Sequence, residues 1–118
     1  MLFRSPAYNA AGLSEIVPSA TSRRLRDAGG ATFILVSDDS VEADFIARFA
    51  RHTLRTRRAV VFYVNDEYGE GLRAGIVATF AAIGGVVAEA IPLGEEMDAA
   101  RLVASAVRRH HPDVIFSC

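Results

Sequence analysis

The sequence predicts an α/β domain, a parallel β-sheet covered by helices, and three observations carry that reading. Four short apolar runs, Thr32 to Val36, Ala59 to Val64, Val86 to Ile91 and Asp113 to Phe116, are rich in β-branched or aromatic residues and bounded by polar or glycine punctuation. Three helical patterns lie between them. Because the runs are apolar on both faces, strand-helix-strand crossovers into a parallel sheet with helices on either side are expected, with Ala59 to Val64 at its centre.

The first helical pattern carries Val41, Phe45, Phe49 and Leu54, with Asp39 or Ser40 placed to cap its start. The second carries Leu72, Ile76, Phe80 and Ile83 and is stopped by Gly84-Gly85. The third, Leu102, Val103, Ala106, Val107 and His110, opens at Asp98 as N-cap and ends before Pro112. Residues 1–30, with Pro6, Pro18, a Ser/Ala/Thr cluster and Gly29-Gly30, break the rhythm. Only Ala10 to Val17 suit a short element there, so this part reads as connector and the alternation begins at Thr32. No internal repeat or low-complexity tract is present.

Composition narrows the chemistry. The 118 residues suffice for one domain, and 51% are apolar and 23% charged, a globular balance. Fourteen acids face thirteen bases, and every base is arginine. Without lysine, Schiff-base chemistry, a phosphate-loop lysine and the lysine of a phospho-receiver site are excluded. The net charge of −1 provides no overall basic footprint for nucleic acid. Cys118 is the only cysteine, so neither an internal disulfide nor a multi-cysteine metal site can form. No run reaches the roughly 18 apolar residues of a membrane span. The start, Met1 to Pro6, lacks the apolar centre of a signal peptide, so for an exported protein the signal is expected outside this segment.

The junction Asn65-Asp66-Glu67-Tyr68-Gly69-Glu70-Gly71-Leu72 joins an apolar run to an amphipathic segment beginning near Gly69. Open α/β sheets bind ligands at such junctions, beyond the carboxyl ends of the strands. Gly69-Glu70-Gly71-Leu72-Arg73-Ala74 also fits the loose dinucleotide fingerprint, with Glu89 at about the spacing of a ribose-binding acid. Four residues separate its first glycine from the strand, however, and Glu89 falls inside a strand run. Helix-start and close-packing glycines account for the pattern better. Asp38-Asp39 and Asp66 are read as cap and turn residues. His110-His111, with Arg108 and Arg109, suit a helix end, where positive charge complements the dipole, and adjacent helical residues point about 100° apart, which disfavours a metal pair. His52 is read as surface. The arginine groups Arg23-Arg24-Arg26 and Arg55-Arg57-Arg58 are read as a solvated rim. No nucleophile elbow pairs the serines with a histidine, so an enzyme is not expected.

Taken together, Ile16-Val17-Pro18-Ser19-Ala20-Thr21-Ser22, a strand, Ser37-Asp38-Asp39, a helix, the apolar run 59–64, Asn65 to Leu72, and Pro112-Asp113-Val114-Ile115-Phe116 resemble the type I periplasmic binding proteins, specifically the branched-chain amino-acid-binding (Leu/Ile/Val-binding) solute-binding proteins of ABC importers. The resemblance covers all of this chain but only a central slice of the much longer family. It implies two Rossmann-like lobes closing over a small amino acid or related carboxylate, with residues 1–36 as the end of the first lobe and the hinge crossover, and 37–118 as part of the second.

It further implies ligand contacts from Ser19 and Thr21 on the fixed side and Tyr68 on the moving side, and no cofactor, metal or catalytic residue. Ser19 stands where the family often carries alanine. An ABC permease would be the partner of the full-length protein, in a periplasmic or extracytoplasmic setting. A sensory ligand-binding domain of the same fold, and behind it a dinucleotide-binding enzyme fragment, are the alternatives. The segment alone is expected to bind ligand weakly or not at all, and to self-associate through the sheet edge or residues 1–30.

Overall fold

A computed structural model describes residues 4–95 and 98–118, so Met1, Leu2 and Phe3 of the N-terminal readings lie outside the described residues. The chain forms two compact units, Met1–Asp39 and Ser40–Cys118.

In the first unit, helix α1 (Ser5–Ala10) carries proline in its first turn, where the missing N–H costs nothing. Strand β1 (Glu15–Val17) runs parallel to β2 (Thr32–Ile34) in the register Glu15 to Thr32 and Val17 to Ile34. Leu35 N–H donates to the Val17 carbonyl at 3.0 Å, so the ladder outlasts β2 by one bond. Asn9 ties α1 to β2: its amide donates to the Ser5 carbonyl and to Thr32 Oγ1, at 3.0 and 2.8 Å, and its carbonyl accepts from Ala31 N–H at 2.8 Å. A 3₁₀ turn, Arg23–Asp27, buries Leu25. Residues 4–30 are therefore more than connector, and the alternation starts before Thr32. A three-residue strand stopped by Pro18 is too short to display a period, which is why the sequence conceals it.

The second unit holds a three-stranded parallel sheet in the order β4-β3-β5, with β3 (Arg58–Val64) at its centre. Helix α2 (Asp39–Arg48) continues into a π turn, Phe49–Thr53, and α3 (Glu67–Ala82), β4 (Val86–Leu93), α4 (Ala99–His110) and β5 (Val114–Ser117) follow. Side chains alternate along β3, so each face feeds its own core. Ala59 and Val61 pack with Ala43, Ala47 and Ala50, with Leu72, Ile76 and Phe80 of α3, and with Phe116 of β5. Val60 and Phe62 pack with Ile91 and Ala106, backed by Leu102 and Val103. Phe80 and Phe116 meet edge to face at 5.6 Å. The register of β3 on β4 shifts between Ala59 and Val60, and Pro92 of β4 stands opposite Tyr63.

One expectation about side-chain direction fails. Val41, Phe45, Phe49 and Leu54, the apolar stripe of the first helical pattern, are 51%, 69%, 45% and 56% exposed. Helix α2 instead turns Ala43 and Ala47 inward. The reason lies in α3: a Cβ at Gly75 would come within 2.6 Å of the Ala43 Cβ, so the helices approach too closely for large side chains between them. Helix α2 also starts at Asp39, which is thus its first residue and not the cap before it. At the other helices most of the expected stripe holds: Leu72, Ile76 and Phe80 are buried on α3, Ala106 is buried on α4 although Val107 is 40% exposed, and Asp98 caps α4 by accepting from Arg101 N–H at 3.1 Å.

Candidate functional site

Strand β3 ends at Val64, and α3 begins after two intervening residues. Asp66 makes the turn. Its backbone is extended, and its Oδ1 accepts from Gly69 N–H at 2.7 Å, so it is the N-cap of α3. The helix accordingly opens at Glu67, slightly earlier than the sequence suggests. Gly69 completes the junction. A Cβ there would stand 2.1 Å from the Val64 carbonyl oxygen, so only glycine lets the first helical turn sit on the end of its strand. Between these two fixed residues lies Tyr68, in the first turn of α3, beyond the carboxyl end of the central strand and 45% exposed.

Other groups gather at this end of the sheet. Arg73 lies 5.3 Å from the centre of the Tyr63 ring and pairs with Glu70 at 2.8 Å. Cys118 extends β5 alongside β3, donating N–H to the Phe62 carbonyl at 2.9 Å and accepting from Val64 N–H at 2.8 Å. Burial pushes the Cys118 thiol up, and the negative charge of Glu42 adds to this while Arg73 opposes it. Sequence reasoning missed Tyr63, Glu70, Arg73 and Cys118 here. The i, i+3 spacing of Glu70 and Arg73 was visible, but the ring above the arginine comes from the preceding strand.

In the first unit, Ser19 and Thr21 follow β1 directly, beyond its carboxyl end. Ser19 is exposed and Thr21 half-buried. The Thr21 carbonyl accepts from Asp39 N–H at 2.9 Å, which pins the loop after β1 to the segment after β2. Asp38, buried, forms an ion pair with Arg26. Arg23, Arg24, Arg26 and Asp27 line a surface groove of ≈ 410 Å³. Ser19 and Thr21 thus share one loop, while Tyr68 belongs to the second unit.

The competing motif readings find local explanations. Glu89 lies inside β4, and its Oε2 stands 2.7 Å from His110 Nε2 and 3.0 Å from an Arg109 nitrogen, so it joins strand to helix. His111 ends α4 in the left-handed conformation, its N–H donating to the Val107 carbonyl at 2.9 Å. His52 is exposed.

No family model matches the sequence, and no curated protein does. Solved structures do match. An ABC transporter substrate-binding protein from Desulfitobacterium hafniense, in complex with Leu, superimposes with a TM-score of 0.81 at 24% identity over 96% of this chain and 34% of its own. A leucine binding protein from Thermotoga maritima gives 0.79 at 22% identity, over 96% and 32%. A solute binding protein of an ABC transporter from R. palustris, in complex with benzoate, gives 0.82 at 16% identity, over 97% and 32%. The fold is that of the ABC transporter substrate-binding proteins. The chain spans about a third of the length of these structures. Within the substrate-binding-protein fold it accounts for a parallel sheet with flanking helices, a partial lobe.

Proposed function

We propose that this chain supplies part of the ligand cleft of an extracytoplasmic solute-binding protein, which captures a small amino acid of the branched-chain type or a related carboxylate for an ABC importer. Residues 1–36 would form the end of the first lobe and the hinge crossover, and residues 37–118 part of the second. The observation that carries this reading is positional. In each unit the candidate residues stand beyond the carboxyl ends of parallel strands, Ser19 and Thr21 after β1 and Tyr68 after β3, where open α/β folds bind small molecules.

The side chains suit such a ligand. Hydroxyl and backbone groups at Ser19 and Thr21 serve its polar ends, and the Tyr68 ring covers an apolar body while its rim hydrogen-bonds. Leucine and benzoate, bound by two structures of this fold, share that division into a carboxylate and an apolar part. No bond is made or broken. The ligand favours the closed state because it touches both lobes only there, with Tyr68 on the moving side and the hinge near Ser37. Delivery to an ABC permease belongs to the full-length protein.

Calorimetric titration of the full-length protein with leucine, valine, benzoate and NAD tests the reading. Binding of an amino acid or benzoate is expected, weakened about tenfold or more by Tyr68→Ala, or about 1.4 kcal/mol, and far less by Tyr68→Phe. Tight NAD binding with no response to the carboxylates would overturn it.

A further inference from the structure

We propose that Arg26 is a positioning residue for the loop that carries Ser19 and Thr21, acting through the buried carboxylate of Asp38. The inference deepens the reading of Ser19 and Thr21 as ligand contacts and rests on it. Every contact it uses lies within the first unit. The loop has fixed ends. Val17 closes β1 and is buried, and Leu25 and Ala28, on either side of Arg26, are buried as well. Between these anchors stand Ser19 and Thr21, and their end-fixed loop still needs something to hold its middle.

The crossover after β2 supplies it with two successive residues. Asp39 N–H donates to the Thr21 carbonyl at 2.9 Å, and the Asp38 carboxylate pairs with the Arg26 guanidinium. A single planar peptide joins the two contacts, so neither shifts far without the other. The ion pair is uneven, because the Arg26 side chain is 55% exposed and that of Asp38 only 7%. Arginine can turn to water, whereas a sealed carboxylate that loses its partner is left as a buried, uncompensated charge. Without Arg26, Asp38 moves towards solvent and draws the Asp39 N–H away from Thr21. Arg26 thereby keeps the loop ordered before the ligand arrives, and less binding free energy is lost to ordering it.

Two measurements on the full-length protein test this, one without ligand and one with it. In amide hydrogen exchange of the ligand-free protein, Arg26→Gln should speed exchange of the Asp39 N–H about tenfold or more, and change Val60, Val61 and Phe62 far less. Equal acceleration at both places would mean general destabilisation and overturn the proposal, as would an Asp39 amide indifferent to the variant. In calorimetric titration with leucine and benzoate, Arg26→Gln should weaken binding roughly fivefold to tenfold. Adding Asp38→Asn to it should recover part of the loss, since no charge is then stranded. Arg23→Gln makes the same change of net charge on the same turn and should leave both measurements unaltered. If it weakens binding as much as Arg26→Gln does, general attraction of an anionic ligand accounts for the effect and the proposal falls. Faster Asp39 exchange with unaltered affinity would confine the pair to the stability of the crossover and overturn it too. A protein that takes up neither leucine nor benzoate would end the ligand reading, while the exchange result would still decide whether Arg26 holds the loop.

Discussion

Gly69 sits where a single methyl group would decide the geometry of the candidate site. Its absent Cβ leaves room for the Val64 carbonyl, and its N–H is the donor that Asp66 caps. Gly69→Ala therefore sets backbone against backbone, which cannot rotate away, and is expected to cost about 1–3 kcal/mol in chemical denaturation. The same change lifts the turn that carries Tyr68, so ligand affinity should fall along with stability. In the sequence this glycine belongs to a loose dinucleotide pattern. What separates the two meanings is the distance from the end of the strand, four residues, and that was readable. Tyr68 at the strand's carboxyl end was readable too. Arg73 over the Tyr63 ring was not, because a side-chain contact between a strand and the following helix depends on helix rotation, which no spacing rule supplies.

Individual elements were legible in proportion to their length and bulk. β3, α3 and α4 announce themselves through apolar period, and their buried residues are the expected ones. α2 was found as a helix but with the wrong face inward, because a reading by side-chain size overlooks alanines that win by permitting close approach. β1 went unrecognised as a strand of its own because three residues hold no period. The joints between elements carry a testable load as well. Asp113, just before β5, accepts from the backbone N–H groups of Arg57 and Arg58 at 2.8 Å each, bracing the start of β3. Partial desolvation pushes its carboxyl up, but those donors and the charge of Arg57 outweigh it and leave the pKa below the ordinary value. A depressed folded-state pKa means that the contribution is present above the ordinary carboxylate range, about 3.9, and is lost as pH falls through the folded value. Asp113→Asn can keep only one acceptor, so it should lose about 1 kcal/mol at neutral pH. Below about pH 4 its stability should converge on that of the unaltered protein, which acid melting curves would record.

For the whole molecule, the uneven burial of the two units sets an order of local opening. Residues Ala59 to Phe62 of β3 are enclosed on both faces and hydrogen-bonded on both edges, whereas β1 and β2 leave Ile16 and Phe33 68% and 54% exposed. Amide hydrogen exchange should therefore be slowest at Val60, Val61 and Phe62 and markedly faster along β1 and β2. Equal protection in the two sheets would contradict this account. Pro92 adds a directional asymmetry. An imino acid is tolerated inside a strand only where its missing donor points away from the existing ladder. The outer side of β4 is thus a broken template, while the outer side of β5 offers an uninterrupted row from Val114 to Ser117. Any further β-segment recruited to this layer is steered to one flank, so a single pyrrolidine ring gives the sheet a growing end and a closed end.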